Sequence, residues 1–221
     1  MKVVSDMLHF ETVSPQLLNI LLKLMEAPLF DSFRLVGGTN LSLRLGHRKS
    51  EDIDLFSDAE YGSLDFAAFH DYLVSHFPYC DPPELSAGIG FGRMYYVGLN
   101  KDNAIKLDLM YSDPFLADPE LREGIRMASL EEICAMKLEA IGGGGRKKDW
   151  WDIHELLDYF SLKEMLNAHS KWQPWTHDER KLLDALVDFS SADKDAQPVC
   201  LRGKDWDTVK LDIINTVRDY I

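Results

Sequence analysis

Two aspartates, Asp52 and Asp54, lie one residue apart at the end of a run that opens on Gly37, Gly38 and Thr39, GGTNLSLRLGHRKSEDIDLF. Polar and apolar residues alternate in the last five letters, so a β-strand here would place both carboxylates on one face. Like charges about 6 to 7 Å apart repel each other unless a cation lies between them. Because Mg²⁺ binds carboxylates together with substrate phosphates, the pair predicts a magnesium site.

The glycine turn at the start of the same run suits a phosphate group. Without side chains, Gly37 and Gly38 let the backbone approach a ligand closely, and the free amides of a helix that begins near Thr39 attract anions. A glycine pair alone is more often an ordinary turn, and a solitary Asp-x-Asp is more often a solvated strand edge. Here the two occur together at a workable distance, which favours a phosphate and metal site.

A third carboxylate follows in the apolar run AIKLDLMY, residues 104–111. On a strand, Asp108 would share a face with Lys106, while the isoleucine and the leucines face the other way. Three carboxylates can hold two Mg²⁺ ions, one activating an attacking oxygen and one binding the triphosphate. We therefore predict Asp52, Asp54 and Asp108 as metal ligands, and Asp108 as the general base.

The elements that must position these residues fall into two parts. In the first, apolar spacing and turn residues predict helices at 14–27, 40–45 and 63–76 and strands at 33–36, 52–56, 92–100 and 104–111, the last two forming a hairpin. After about residue 125 only helices are predicted, at 146–159, 178–189 and 205–220 and behind the capping boxes Ser129 with Glu132 and Ser161 with Glu164. We predict an α+β fold, with a mixed sheet and flanking helices over 1–125 and a C-terminal helical domain over 126–221 that completes the site.

Length, charge and composition limit the class of protein. The chain has 221 residues, 46% of them hydrophobic, which is enough for one sizeable core. Its formal net charge of −13 argues against a general nucleic-acid coat protein, although Arg44, His47, Arg48, Lys49 and the run 146–148 form local basic clusters. Three separated cysteines without a Cys-x-x-Cys pair, no export signal and no long apolar run predict a cytoplasmic protein with no membrane partner.

The run from Gly37 to Phe56 resembles the first motif of the AbiEii/AbiGii toxin family of nucleotidyltransferases, within the DNA polymerase β-type nucleotidyltransferase superfamily. Downstream, KLEAIGGGGRKKDWWDIHEL, from Lys137 to Leu156, is similar to the helical segment of that family, in which a lysine precedes a basic turn and an Arg/Lys-Asp-x-x-Asp motif. The two blocks occur in the family's order and cover about a fifth of the chain.

The resemblance implies a nucleotidyltransferase-type fold and a magnesium-dependent enzyme. Such an enzyme moves a nucleoside monophosphate from a nucleoside triphosphate, such as ATP, GTP or CTP, to an acceptor. The family implies the 3′ end of transfer RNA as the acceptor, with a protein acceptor as a further candidate. It also implies an antitoxin protein as a partner in a toxin-antitoxin system.

Site residues follow from the resemblance position by position. The predicted nucleotide-binding residues are Gly37, Gly38, Thr39, Arg48, Ser50 and Lys137. The predicted catalytic residues are Asp52, Asp54, Asp108, Lys137 and Asp152. Among them, Lys137 would neutralise phosphate charge from a helix, and Asp152 matches the late essential acid of the family.

Two other functions stay open on the sequence alone. A small-molecule acceptor, as in antibiotic-modifying nucleotidyltransferases, would suit the acidic net charge if that acceptor were cationic. A non-catalytic relative could instead hold a nucleotide or a partner protein without turnover. The glycines at 142–145 predict a flexible connector, since no Gly-Lys-Ser/Thr follows them, and at least one of Trp150 and Trp151 is expected to pack in a core.

Overall fold

The computed structural model describes residues 7–81 and 90–221. Over these residues the chain forms a seven-stranded mixed sheet and eight α-helices. The strands are β1 (Arg34–Leu35), β2 (Asp52–Ser57), β3 (Tyr79–Asp81), β4 (Gly92–Asn100), β5 (Asn103–Tyr111), β6 (Glu120–Arg122) and β7 (Ile125–Met127). The helices are α1 (Pro15–Glu26), α2 (Gly37–Leu45), α3 (Phe66–His76), α4 (Leu130–Gly142), α5 (Lys147–Leu156), α6 (Leu162–Trp172), α7 (Glu179–Leu186) and α8 (Trp206–Tyr220).

The strand order across the sheet is β3-β4-β5-β2-β1-β7-β6. β2 runs parallel to β5 and β1 runs parallel to β7, whereas the other neighbouring strands are antiparallel. This mixed sheet with helices confirms the predicted α+β class and the β4–β5 hairpin. The parallel pairing places the two strands that carry the predicted carboxylates side by side.

Side-chain caps fix the beginnings of several helices, as the sequence predicts. Ser14 Oγ accepts the Leu17 backbone N–H at 3.1 Å at the start of α1. At α4 the Ser129 backbone N–H donates to Glu132 Oε2 at 2.9 Å while Ser129 Oγ accepts the Glu132 backbone N–H at 3.2 Å. These bonds satisfy amides that have no partner within their own helix.

The described residues form two hydrophobic cores. The first packs α1 and α3 against the sheet face that carries Ile53, Leu55 and Leu109. The second joins α2 to α4–α8 and contains both Trp150 and Trp151, so both indoles pack in the interior. The sheet face that carries the aspartates also carries Phe56, which packs against the second core.

Some elements lie outside the sequence prediction. The strands β3, β6 and β7 have three residues each, too few for an alternating pattern to be recognised. The predicted domain division between residues 125 and 126 falls inside β7. The chain also returns from its last third to pair Arg48 with Cys200 in an isolated bridge. None of the helices in the described residues has the length and apolar character needed to cross a bilayer.

Candidate active site

The three predicted carboxylates lie on one face of two adjacent strands. In the register of β2 and β5, Asp54 stands opposite Asp108 and Asp52 stands opposite Lys106. The intervening apolar residues are fully buried on the opposite face, among them Ile53 and Leu107. The alternation seen in the sequence therefore produces the expected carboxylate face.

In the described part of the chain, lysines form ion pairs with Asp52 and Asp108, whereas no lysine pairs with Asp54. Lys106 forms a close ion pair with Asp108, and Lys148 Nζ lies 3.2 Å from Asp52 Oδ2. Among the described residues no hydrogen-bond donor contributes to the environment of Asp54. Burial, and next the charge of Asp108, raise the pKa of Asp54 to about 6. Asp54 is thus the acid that gains most from an added positive charge.

The donor chemistry of this face fits Mg²⁺. Within residues 7–81 and 90–221, no three His, Cys, Asp or Glu side chains form a preassembled metal group. Lys106 and Lys148 each pair with one of the predicted ligands. The donors are all carboxylate oxygens, and Asp54 and Asp108 repel each other, as expected for acids that share a hard cation.

The glycine pair begins α2 and makes room for two charged side chains. Gly37 has a φ of +67°, and a Cβ built on it would lie 2.3 Å from Asp54 Oδ2. A Cβ built on Gly38 would lie 2.3 Å from Arg48 Nη2. A side chain at either position would therefore have to displace the Asp54 carboxylate or the Arg48 guanidinium, a role for the glycines that the sequence analysis did not foresee.

Thr39 and Ser50 use their hydroxyl groups inside the protein. Thr39 Oγ1 lies 2.8 Å from Ser50 Oγ, and it also donates to the Asp52 backbone oxygen. The Thr39 side chain has no exposed surface. Together the two residues hold the start of β2 against α2, so contact of Thr39 with a nucleotide, which stays a prediction, would have to come from its backbone amide.

Asp152 is the centre of a buried ion cluster behind the carboxylate face. It accepts hydrogen bonds from Arg48 Nε at 2.7 Å and Nη2 at 2.8 Å, and its Oδ1 lies 2.7 Å from His47 Nε2. Lys137 Nζ lies 2.7 Å from Asp152 Oδ2 and 2.6 Å from Asp149 Oδ1. The cluster therefore connects the segment after α2 with α4 and α5.

In this cluster, attraction between opposite charges offsets the free-energy cost of burying them. Burial acts to raise the pKa of Asp152, but Arg48 and Lys137 hold that pKa well below its usual value. Burial acts to lower the pKa of Lys137, yet Asp152 and Asp149 raise it. Burial lowers the pKa of His47 despite its hydrogen bond to Asp152. Two cations and two anions thus balance, with a neutral histidine.

The predicted residues Lys137, Arg48 and Asp152 differ in how close they lie to the cavities beside the carboxylates. Lys137 lines the cavity that contains Asp54, so its charge is felt there. Asp152 has no exposed surface and Arg48 is 2% exposed. Asp152 therefore lies behind the carboxylate face, whereas Arg48 also lines a cavity that contains Asp52. Contact of either side chain with a ligand stays a prediction.

Two open cavities adjoin the carboxylates. The first, the Asp54 cavity, has a volume of about 450 Å³ and is lined by residues that include Gly37, Asp54, Phe56, Lys137, Arg146 and Trp172. The second, the Asp52 cavity, has a volume of about 370 Å³ and is lined by residues that include Arg48, Lys49, Ser50, Asp52, Arg146 and Lys148. Exposed Arg146 lines both cavities, a position that the sequence analysis missed because it treated the run 146–148 as a local basic cluster.

A mixed sheet with acids on adjoining strands, next to a glycine-initiated helix, is the architecture of a nucleotidyltransferase. The sequence matches the family described as "Nucleotidyl transferase AbiEii toxin, Type IV TA system" over residues 19–220. The chain belongs to this family and is a nucleotidyltransferase of the toxin type.

Individual relatives agree with this membership. An uncharacterized protein from Aquifex aeolicus is 31% identical over 154 residues, which cover 65% of this chain and 67% of the relative. The crystal structure of a putative nucleotidyltransferase from Helicobacter pylori aligns with a TM-score of 0.59 at 23% identity, covering 93% of this chain and 94% of the other. MenT4, a nucleotidyltransferase toxin from Mycobacterium tuberculosis, aligns with a TM-score of 0.54 at 14% identity, covering 92% of this chain and 83% of the other. These two structural likenesses show the shared fold.

Proposed function

We propose that this enzyme transfers a nucleoside monophosphate from a nucleoside triphosphate to the 3′ end of a transfer RNA in a magnesium-dependent reaction. The observation that carries the proposal is the register of β2 and β5, which sets Asp54, a lining residue of the Asp54 cavity, opposite Asp108. Positively charged Lys137 and Arg146 line the same cavity. Acids for metal and cations for phosphate thus meet in one place.

In the proposed reaction the triphosphate binds at the start of α2. Backbone amides that follow Gly37 carry the partial positive charge of a helix N-terminus, which favours phosphate oxygens. Arg146 is exposed and available to the phosphates, whereas Lys137 contributes its charge from the buried cluster. Pyrophosphate then leaves next to these cations.

In this proposal Asp108 takes the proton of the acceptor hydroxyl as that oxygen attacks the α-phosphate. Lys106 forms a close ion pair with Asp108. Asp52, Asp54 and Asp108 would hold Mg²⁺, which supplies charge neutralisation to the α-phosphate and activates the attacking oxygen. Asp152 acts indirectly, because it fixes Lys137 and Arg48 in place.

The acceptor would approach through the Asp52 cavity. Lys49, Arg146 and Lys148 line it and provide cations for an RNA backbone in a protein whose net charge is −13. The family's type IV toxin-antitoxin description supports an antitoxin as a partner and a cytoplasmic site of action. Both are part of the proposal.

The test is transfer of label from each α-labelled nucleoside triphosphate, with Mg²⁺, to total transfer RNA. We expect label on RNA together with pyrophosphate, and loss of both in Asp54→Asn and Asp108→Asn while Asp184→Asn, on exposed α7, keeps them. Parallel reactions contain a protein extract or an aminoglycoside in place of transfer RNA. Label on a protein or on the aminoglycoside, and none on RNA, would identify that molecule as the acceptor. Nucleotide binding without pyrophosphate, for every acceptor, would overturn the catalytic proposal.

A further inference from the structure

A third cavity lies beside the Asp54 cavity and is lined largely by aromatic rings. It has a volume of about 420 Å³, and its rings come from Phe56, Tyr61, Phe91, Tyr111 and Trp172. Phe56 and Trp172 also line the Asp54 cavity, so the two spaces adjoin. We call this space the aromatic cavity.

The rings of the aromatic cavity form an exposed stacking surface. Tyr61 and Tyr111 have ring centroids 5.2 Å apart, and Tyr61 and Phe91 have centroids 5.9 Å apart. Tyr61 remains 53% exposed. The Tyr111 hydroxyl accepts the Gly62 and Leu64 backbone N–H groups, which fixes the loop that carries Tyr61. A fixed, exposed aromatic face is suited to stacking with a planar ligand.

Two buried polar atoms on the lining have no hydrogen-bond partner among the described residues. They are the Ser112 hydroxyl oxygen and the Trp172 indole nitrogen. A buried polar group without a partner costs free energy, so a ligand that brought acceptor atoms between these side chains would recover it. Base rings carry such acceptors, as carbonyl oxygens and ring nitrogens.

The two cavities differ in the charged residues that line them. Lys137 and Arg146 line the Asp54 cavity, whereas Asp58 and Asp113 line the aromatic cavity. We therefore expect phosphates to bind near Lys137 and Arg146, and an uncharged group to bind near Asp58 and Asp113. Phe56 lies two residues after Asp54 on β2, about 6 to 7 Å along the strand, roughly the span of one sugar.

We propose that the aromatic cavity binds the base of the nucleoside triphosphate, stacked on Tyr61 and hydrogen-bonded by Trp172 and Ser112. This inference rests on the proposed function and adds the determinant of nucleotide choice. The terminal base of the acceptor is the less suitable occupant. Its phosphate chain would have to leave past Asp58 and Asp113, which would repel it.

The first experiment separates KM from kcat for each of the four nucleoside triphosphates. We expect Tyr61→Ala, Ser112→Ala and Trp172→Phe to raise the nucleotide KM about tenfold or more, to change the preference among the four bases and to leave kcat nearly unchanged. Matched controls are Tyr96→Ala, on exposed β4, and Trp175→Phe, whose indole is 96% exposed. Thermal unfolding of each variant checks that it is folded.

The outcomes distinguish this inference from the proposed function. If all three variants transfer the nucleotide with an unchanged nucleotide KM, the base site is overturned and the enzyme assignment stays intact. A rise in the acceptor KM alone would have the same meaning. If the native protein transfers nothing, binding of adenosine, guanosine, cytidine and uridine is measured by calorimetry. Binding of at least one nucleoside that Tyr61→Ala abolishes would support the base site, and binding of none would overturn it.

Discussion

The Asp54 carboxylate rests against the backbone of Gly37, so closely that a Cβ on Gly37 would lie 2.3 Å from Oδ2. Because Gly37 also has a φ of +67°, Gly37→Ala combines backbone strain with displacement of the carboxylate. We expect a loss of about 2–4 kcal/mol in the free energy of unfolding, measured in urea, and loss of transfer.

The matched control for this substitution is Gly62→Ala. Gly62 has a φ of +88° but no heavy atom within 4 Å of its built Cβ, so only the strain of about 1–2 kcal/mol is expected. The double variant Gly37→Ala with Asp54→Ala should recover part of the difference, since the displaced group is gone. Equal losses for Gly37→Ala and Gly62→Ala would contradict the close contact.

Removal of Asp152 should destabilise the protein strongly. Asp152→Ala leaves the Arg48 and Lys137 charges buried without their shared partner, and we expect a loss of about 3–5 kcal/mol. In Asp184→Ala, which removes an exposed pair with Arg180, the loss should stay below about 0.5 kcal/mol. A fully stable but inactive Asp152→Ala protein would instead show that Asp152 acts on the substrate itself.

Stability should fall as the pH drops below about 6.5, partly through His47. Burial lowers the pKa of His47 in the folded protein, so the unfolded chain takes up its proton at a higher pH. The stability contribution of neutral His47 is complete above the pKa of the unfolded chain, about 6.5. It is lost as the pH falls toward the lowered pKa of the folded protein, at no more than about 1.4 kcal/mol per pH unit. His47→Gln should flatten this part of the stability curve, and an unchanged slope would exclude the mechanism.

Cation binding should follow the titration of Asp54. Its pKa of about 6 means that a proton competes with a cation, so the rise in melting temperature with Mg²⁺ or Mn²⁺ should decline as the pH falls through 6. Above that pH the repelled carboxylate destabilises the metal-free protein. Asp54→Asn should therefore raise the free energy of unfolding of the metal-free protein at pH 7.5 by about 1–2 kcal/mol. It should also abolish the rise in melting temperature with Mg²⁺ or Mn²⁺. A cation effect that persists in Asp54→Asn would contradict the assignment.

Arg146 should contribute to binding of the phosphates without supporting the fold. Its side chain is exposed and lines both cavities at the carboxylate face. For Arg146→Gln we expect kcat/KM for the nucleotide to fall about 10- to 100-fold with an unchanged melting temperature. Arg180→Gln, at an exposed position of α7, should leave both unchanged, and equal kinetics for the two variants would remove Arg146 from the site.

The sequence carried enough information for the carboxylate face and the helix ends. The two-residue period of DIDLF and of AIKLDLMY determines which side chains share a face, and that is a local property. Ser129 with Glu132 and Ser161 with Glu164 likewise act within one turn of helix. Such features survive any arrangement of the rest of the chain.

The remaining features depend on residues far apart in the chain. The pairing of Arg48 with Asp152 joins positions 104 residues apart, and no local pattern indicates it. The reason for glycine at position 38 is equally distant in sequence, because a Cβ there would meet the Arg48 guanidinium that Asp152 binds. The β1–β7 pairing rests on strands too short to show alternation. Tertiary packing decides each of these.

The parallel pairing of β2 with β5 has a consequence for protein synthesis. A growing chain releases Gly37 and Asp54 from the ribosome well before Asp108, and Lys137 and Asp152 later still. The opposing acid and the anchored lysine are missing until that point. The carboxylate face can thus assemble only after β5 has left the ribosome, and the buried ion cluster behind it only after α5 has followed.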